Sequence, residues 1–263
     1  MRRLSDLSLG GFVALALFFL YAPVVVLILF SFNDSRLMTL PLSGFTWDWY
    51  KAVFANEAMM RALRNSLFVA SVATAISLAI GTMAAFALDR IRFPGKTMFR
   101  RIILLPISLP GIIIGISILN MSSAVGLHLS LTTVILGHTA MLLAIVVTQV
   151  FARLQRMDRN IEEAAADLGA SPWQTFTRVT LPNIRSALIG SGLLSFTVSF
   201  DDVPITFFLT GRENTLPMYI YSAMRRGPSP EFNAVSTMIF VGSLALIIFS
   251  IILLTRDKGE SNV

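Results

Sequence analysis

The sequence predicts an all-α polytopic membrane protein with six transmembrane helices. Of its 263 residues, 55% are hydrophobic and only 14% are charged, and the mean hydropathy is +0.73. A soluble domain is about 45–50% apolar and about 25% charged. Several apolar runs exceed about 18 residues, the length that a helix needs to cross a bilayer. Because a backbone inside lipid must satisfy its own hydrogen bonds, these runs are expected to be helical.

A single transmembrane domain is expected over residues 1–263, with both termini in the cytoplasm. The predicted spans are residues 11–32, 66–88, 102–122, 131–152, 188–210 and 234–255. With the N-terminus inside, the inner segments contain 14 of the 21 lysine and arginine residues, and the outer segments contain 7. Cytoplasmic loops are enriched in these residues, so the bias favours this orientation. The net charge of +6 reflects this topology and is not interpreted as a nucleic-acid-binding signal.

The third predicted span contains residues that interrupt helices. Pro106, Pro110, Gly111 and Gly115 fall within ten residues of one another. Proline removes a backbone donor and kinks a helix, and irregular backbone at membrane depth is tolerated only inside protein or along a watery cavity. Two interpretations stay open. Either the helix is discontinuous beside a translocation path, which Pro110 and Gly111 would line, or it is a tightly packed, kinked helix.

The fifth predicted span contains two adjacent carboxylates, Asp201 and Asp202, in the stretch "SFDDVPITFF". An aspartate at the centre of a span costs about 2.5–3.5 kcal/mol, and such residues usually face the bundle interior or water. Neighbours on a helix point about 100° apart, so the two make a poor catalytic dyad. One is expected to face a substrate path while the other caps or pairs within the bundle. The alternative is a structural, buried hydrogen-bonding role.

The predicted cytoplasmic loop, residues 153–187, has the signals of two short helices with a tight joint. The segment "NIEEAAADL" is a strong helix former with acids near its N-terminal end. Gly169 suits the left-handed position that ends such a helix. Ser171, Pro172 and Gln174 then occupy the N-cap, N1 and N3 positions of a second helix.

The second short helix would present an apolar face to a cytoplasmic partner. Trp173, Phe176 and Val179 follow one another at a spacing of three residues, which places them on the same side of a helix. Pro182 is expected to end this helix, because proline cannot continue it. The residues alone do not identify the partner.

This loop resembles the EAA loop of ABC-importer permeases. That pattern reads E-A-A, three residues, Gly, nine residues, then I-x-L-P. The matching positions in this sequence are Glu163, Ala164, Ala165, Gly169, Val179, Leu181 and Pro182. The one departure is valine in place of isoleucine. The resemblance implies that the loop forms a coupling helix that docks on an ATPase subunit, with Trp173 and Phe176 supporting the contact. The residues implied in the docking are Glu163, Ala164, Ala165, Gly169, Leu181 and Pro182.

The resemblance extends over most of the chain, to the polyamine-type (spermidine/putrescine-like) branch of these permeases. It is carried by "NSLFVASVATAISLAIGTMAAFAL", "RFPGK", "LPISLPGIIIGI" and "SFTVSFDDVPITFFLTG". It implies a binding-protein-dependent, MetI-like ABC permease fold in the bacterial cytoplasmic (inner) membrane. The implied partners are a second related permease subunit, an ATPase dimer and a periplasmic or extracellular substrate-binding protein. ATP and magnesium would bind on the ATPase, and this chain would hold no cofactor.

The sequence does not predict an enzyme. It contains no HExxH, nucleophile-elbow or P-loop pattern, so no catalytic or metal-ligating residues are expected. His128 and His138 are interpreted as hydrogen-bonded structural residues and not as ligand contacts.

The expected function is that of a permease forming half of the pore of an ATP-driven importer for a small cationic solute such as a polyamine. Amino acids, opines and other small polar solutes are alternative substrates. A proton-coupled secondary transporter or a scaffold protein is disfavoured, because neither has an ATPase to dock.

Overall fold

The described part of the chain is almost entirely helical. The computed structural model describes the backbone of residues 2–36, 38–225, 227 and 229–259, and the side chains of residues 9–36, 38–225, 227, 229–245 and 248. The helices are α1 (Arg2–Ser31), α2 (Asp48–Ala55), α3 (Glu57–Arg90), α4 (Lys96–Ser108), α5 (Gly111–Ala124), α6 (Leu131–Gln155), α7 (Asn160–Asp167), α8 (Pro172–Thr175), α9 (Leu181–Phe200), α10 (Pro204–Leu209), α11 (Leu216–Met224) and α12 (Pro230–Gly259). Within these ranges the only β-type pairing is an isolated bridge between Asn33 and Phe45. The all-α prediction is confirmed.

Three described helices are long and apolar enough to cross a membrane. They are Leu9–Ser31 within α1, the whole of α3, and α6. Together, α4 and α5 also meet this criterion, but they are bent by 112° at a short break. The interruption predicted in the third span is therefore present, at Leu109 and Pro110. The six-span count and the cytoplasmic placement of both termini stay predictions.

The predicted fifth span, residues 188–210, is not one helix. Helix α9 ends at Phe200, and α10 begins at Pro204 after a short non-helical link. A proline at the first position of a helix lacks an N–H that would have no helical partner there, so it favours a new start. The Asp202 carboxylate accepts hydrogen bonds from the next backbone N–H groups of α10 and fixes this start.

The prediction that Pro182 ends the second short helix is wrong. Helix α8 runs through a π-helical turn over Phe176–Thr180 directly into α9. In this wider turn the Leu181 N–H donates to the Phe176 carbonyl, five residues earlier. A π-turn inserts one extra residue into a helix, and Pro182 falls in the first turn that follows it. Residues 172–200 therefore form one continuous helical rod.

Two compact units make up the chain, residues 1–60 with 220–263, and residues 61–219. In the first unit, α1 and α2 both pack against α12. The rings of Phe32, Trp47 and Tyr50 pack against one another there, with centroids 4.9–5.2 Å apart. The Trp49 indole N–H donates to the Asn33 carbonyl at 2.7 Å.

The second unit has two hydrophobic clusters joined by α3 and α6. One cluster also includes α5 and α10, and its buried members are Val69, Ala73, Ile114, Val134, Ile135, Leu142, Ile205 and Leu209. The other includes α9, and its buried members are Ala85, Leu88, Val146, Val147, Val150, Leu154 and Ile184. Between the clusters, a Cβ atom at Gly81 would lie 2.8 Å from the Val146 Cγ1 atom. A small residue is needed where two membrane helices approach this closely.

Candidate functional site

Two helix breaks lie side by side in the second unit. Pro110 precedes the first residue of α5, and Pro204 is the first residue of α10. A Cβ atom placed on Gly111 would lie 3.2 Å from the Cβ atom of Pro204. The structure thus brings the candidate residues Pro110 and Gly111 next to the break that follows Asp201 and Asp202, although they are distant in sequence.

Helix α10 is held closely against α5 and α6 by glycines. A Cβ atom at Gly115 of α5 would lie 3.0 Å from the Phe208 Cδ2 atom. A Cβ atom at Gly137 of α6 would lie 2.6 Å from the Leu209 Cδ1 atom. Ile205 and Leu209 are completely buried in this contact. The short helix is therefore a packed part of the core.

Asp202 caps the start of α10. Its Oδ2 atom accepts hydrogen bonds from the backbone N–H groups of Ile205 and Thr206, both at 3.0 Å. The Thr206 hydroxyl group lies 3.3 Å from the same oxygen, and His138 Nε2 lies 3.2 Å from it. A carboxylate in this position accepts otherwise unpaired N–H groups and complements the positive end of the helix.

His138 links α6 to both sides of the break. Its side chain is completely buried. The Nδ1 atom is 2.7 Å from the Ser199 hydroxyl oxygen, and the Nε2 atom is 3.1 Å from the Thr206 hydroxyl oxygen. The hydrogen bonds expected for His138 are present, whereas the absence of a ligand-contact role stays a prediction. His128 is exposed, and no hydrogen bond to it occurs within the described part of the chain.

Asp201 has a different environment from its neighbour. Its backbone N–H donates to the Thr197 carbonyl at 3.1 Å, at the last turn of α9. Its side chain is exposed and makes no hydrogen bond or ion pair with any described residue. The two carboxylates therefore differ as expected. Asp202 points inward and caps a helix, whereas Asp201 points outward. The substrate-path role of Asp201, Pro110 and Gly111 stays a prediction.

The loop over residues 153–187 is called the coupling loop below, after its predicted role. Its predicted joint forms at Gly169, which has a φ of +84°. The Gly169 N–H donates to the Ala166 carbonyl at 2.9 Å, and the Ala170 N–H donates to the Ala165 carbonyl at 3.0 Å. These are the two bonds of a Schellman motif, which satisfies the last carbonyl groups of a helix. The end predicted for the first short helix is confirmed.

The predicted start of the second helix is also present. The Gln174 N–H donates to the Ser171 hydroxyl oxygen at 3.3 Å, and the Ser171 N–H donates to the Gln174 side-chain oxygen at 2.8 Å. This reciprocal pair is a capping box. Since both ends of the joint are fixed by hydrogen bonds, the relative direction of α7 and α8 is well defined.

The coupling loop exposes large apolar side chains beside its EAA residues. Leu168 is 90% exposed and Trp173 is 71% exposed. Glu163, Ala164 and Pro182 are also exposed, whereas Ala165, Phe176 and Leu181 are half-buried. Phe176 connects the loop to α3, because its ring packs edge-on against Phe86 with centroids 5.4 Å apart. The surface thus combines exposed apolar groups with an internal anchor.

A charge network fastens the loop to the end of α3. The Arg90 Nε atom is 2.9 Å from a Glu162 carboxylate oxygen, and the Thr180 hydroxyl group donates to the other oxygen at 2.6 Å. Asp89 contacts the Arg90 guanidinium and lies 3.6 Å from the Arg159 guanidinium. The side chains of Asp89, Arg90 and Glu162 are only 3%, 12% and 16% exposed. The Arg90 Nε–H is not aligned for a hydrogen bond, so its contact with Glu162 is an ion pair by distance.

This group, hereafter the Arg90–Glu162 network (Asp89, Arg90, Arg159, Glu162 and Thr180), was not predicted from the sequence. Glu162 is adjacent to the EAA residues, and its position suggested only a favourable interaction with the helix dipole. Its cation is on a distant helix, so no local spacing indicates the pair. The one local signal is the concentration of charge in "DRIRFPGK", which also contributes to the predicted orientation of the chain.

The chain was compared with known proteins. Residues 77–256 match the family model described as "Binding-protein-dependent transport system inner membrane component". The chain is 36% identical over 254 residues to the spermidine/putrescine transport system permease protein PotC of Escherichia coli (strain K12), covering 96% of each chain. It is 39% identical over 239 residues to the putrescine transport system permease protein PotI of the same organism, covering 88% of this chain and 84% of PotI.

The structure is similar to that of a bacterial ABC transporter involved in the import of the acidic polysaccharide alginate. The TM-score is 0.71 at 18% sequence identity, and 96% of each chain is covered. At this identity the similarity concerns the fold alone.

Proposed function

The chain belongs to the family of binding-protein-dependent transport system inner membrane components, and on that premise we propose that it forms half of the pore of an ATP-driven polyamine importer. The observation that carries this proposal is the folded coupling loop. Its EAA residues lie on an exposed, hydrogen-bonded joint that is fastened to the membrane helices by the Arg90–Glu162 network. Such a surface is suited to a partner protein that binds the loop and moves it together with the attached helices.

The assembly that we propose contains a second related permease subunit, an ATPase dimer and a substrate-binding protein. ATP and magnesium bind on the ATPase chains in this proposal, and no covalent chemistry takes place on the permease. The Glu163, Ala164, Ala165 and Gly169 joint contacts the ATPase together with Leu181 and Pro182. Trp173 extends the contact surface, and Phe176 supports it from behind through its packing on α3.

The continuous helical rod over residues 172–200 supports a simple mechanical link. At 1.5 Å per residue it is about 40 Å long. One end is the capping box of the coupling loop, and the other is the Asp201–Val203 break. ATP-driven movement of the loop would therefore be transmitted to the break, where α10 is seated on α5 and α6. The bundle then has two states, and the ATPase selects between them.

A cationic substrate fits the exposed carboxylate at the end of this rod. Asp201 has no cationic partner among the described residues, so an amine of a polyamine could pair with it. The relatives PotC and PotI are named for transport of spermidine and putrescine. This supports a polyamine over an amino acid, an opine or another small polar solute.

The test is transport by the full complex reconstituted in liposomes. ATP hydrolysis is measured with binding protein loaded with putrescine, spermidine, an amino acid or an opine. We expect stimulation by a polyamine, and uptake that persists after the proton gradient is dissipated. Stimulation by none of the polyamines would refute the substrate assignment. Uptake that requires the gradient and survives an inactive ATPase would refute the importer assignment.

Replacing Arg90 with glutamine is expected to reduce transport per ATP hydrolysed by about tenfold, which corresponds to about 1.4 kcal/mol of lost coupling. The substitution leaves Glu162 and the well-buried Asp89 without their shared cation. Truncating one member of a fully buried pair costs about 3–5 kcal/mol, and the smaller value reflects partial exposure and the presence of Arg159. Transport and ATPase rates are measured on the same liposomes.

The matched control for this variant is Arg156→Gln, which removes one exposed positive charge at the same end of the bundle. Arg90→Lys should retain an intermediate level of coupling, because lysine keeps the charge without the planar guanidinium. Equal coupling in Arg90→Gln and Arg156→Gln would show that the Arg90–Glu162 network has no role in coupling.

A further inference from the structure

Helix α4 lies on the surface of the second unit, at the end that carries the coupling loop. It begins after Gly95, and none of its residues is buried. It packs against α6 and then bends by 112° into α5. A helix in this position, with a charged start and an apolar remainder, is suited to the boundary between lipid headgroups and acyl chains.

An apolar groove lies between α4 on one side and α3 and α6 on the other. The side chains that form its walls are Leu88, Leu104, Val147, Phe151 and Ala152, with the polar Thr148 among them and Gln155 at the loop end of α6. Leu88 immediately precedes the Arg90–Glu162 network along α3. The groove therefore opens near the coupling loop and continues along the membrane-spanning part of α6.

One arginine side chain, that of Arg100, lines this groove. The Arg100 guanidinium carbon lies 5.0 Å from the centre of the Phe151 ring, and this contact holds the charge over the groove. Arg92, Arg100 and Arg101 are all exposed. Among the described residues none of the three forms an ion pair with a carboxylate. The site thus has unneutralised positive charge at one end and apolar walls at the other.

We propose that this groove binds one anionic phospholipid, with its phosphate on Arg100 and an acyl chain along the apolar walls. Guanidinium groups bind phosphate through paired hydrogen bonds, and basic pockets between membrane helices on the cytoplasmic side recognise anionic headgroups. A water-soluble anion would leave the apolar walls uncovered. A helix of a second protein would have to bury guanidinium groups. The inference rests on the proposed function, which places this end at the cytoplasmic leaflet.

The test uses the full chain assembled with its partner subunits in detergent. The complex is titrated with phosphatidylglycerol, with phosphatidylcholine of the same acyl chains, and with glycerol phosphate, and bound lipid is counted by native mass spectrometry. We expect tight binding of phosphatidylglycerol only. Arg100→Gln should weaken this binding about fivefold, from the usual contribution of a basic residue near an anionic membrane surface.

Two further variants separate charge from shape. Ala152→Trp fills the groove and keeps every arginine, and it should weaken phosphatidylglycerol binding as strongly as Arg100→Gln. Arg212→Gln removes an exposed charge beside the opposite end of α6 and should change nothing.

Several results would overturn the proposal. They are equal binding of the two lipids, equal binding of glycerol phosphate, unchanged binding in Arg100→Gln, and absence of bound lipid because another subunit covers the groove. Lipid binding is measured without ATP. Failure of ATPase coupling would therefore contradict the proposed function and leave this measurement valid.

Discussion

Replacing Gly169 with proline is expected to abolish transport while the chain still inserts into the membrane. Gly169 has a φ of +84°, and proline is restricted to a φ of about −65°. The substitution also removes the N–H that donates to the Ala166 carbonyl. The Schellman motif cannot form, so α7 and α8 lose their relative direction, and the proposed ATPase contact is rebuilt. Uptake and ATPase association are measured in membranes with equal amounts of the chain.

Two milder substitutions at the same position provide the controls. A Cβ atom at Gly169 would have no neighbour within 4 Å, so Gly169→Ala carries only the strain of a left-handed backbone, about 1–2 kcal/mol. Gly169→Asn should be tolerated better, because asparagine adopts this conformation readily. We therefore expect activity to decrease from glycine through asparagine and alanine to proline. Normal uptake by the proline variant would mean that the joint is not the docking element.

The coupling loop shows what local sequence signals can predict. Gly169 ends α7, and Ser171 with Gln174 starts α8, at the positions expected from the sequence. Caps and left-handed glycines are decided by the residues within one helical turn, so a short segment contains the necessary information. The all-α class was predictable for a similar reason, because composition and run length are sufficient to exclude a soluble domain.

The prediction that Pro182 ends a helix failed for a physical reason. Pro182 was expected to stop a helix and instead follows a π-turn that the helix tolerates. Pro204 lies inside the predicted fifth span, and it starts a new helix there. Proline removes one backbone hydrogen-bond donor. The surrounding structure then determines whether the helix bends, forms a wider turn or ends and is followed by a new helix. At Pro204 a new helix begins, because the Asp202 carboxylate accepts hydrogen bonds from the first free N–H groups of that helix.

Contacts between distant helices were beyond prediction. His138 pairs with Ser199, Asp202 and Thr206, and Arg90 pairs with Glu162. Each pair depends on how separate helices pack together, namely α6 with α9 and α10, and α3 with α7, and a single sequence does not specify this packing. The adjacent carboxylates nevertheless indicated that one of them would cap or pair within the bundle. The sequence could not show which one, because that depends on the position of the break.

Asp202→Ala is expected to destabilise the protein, whereas Asp201→Ala is expected to reduce transport without destabilising it. Loss of an N-cap costs about 1 kcal/mol, and each buried group left unsatisfied adds about 1–3 kcal/mol. The groups affected by Asp202→Ala are the Ile205 and Thr206 N–H groups and the buried ring of His138. Asp201 is exposed, and no buried group of the described residues relies on its side chain for a hydrogen bond.

Thermal unfolding in detergent and uptake by the reconstituted complex separate the two roles. We expect Asp202→Ala to lower the melting temperature and with it the yield of complex. Asp202→Asn should be milder, because an amide oxygen still accepts the N–H groups at the start of α10. We expect Asp201→Ala and Asp201→Asn to melt like the parent protein and to impair uptake of a cationic substrate more than ATPase association. Equal melting temperatures for Asp201→Ala and Asp202→Ala would contradict the cap, because only the Asp202 carboxylate pairs with α10 and α6. Full uptake by Asp201→Asn would show that the Asp201 carboxylate is not needed in the substrate path. The proposed contact with a polyamine would then have to lie elsewhere on the rod.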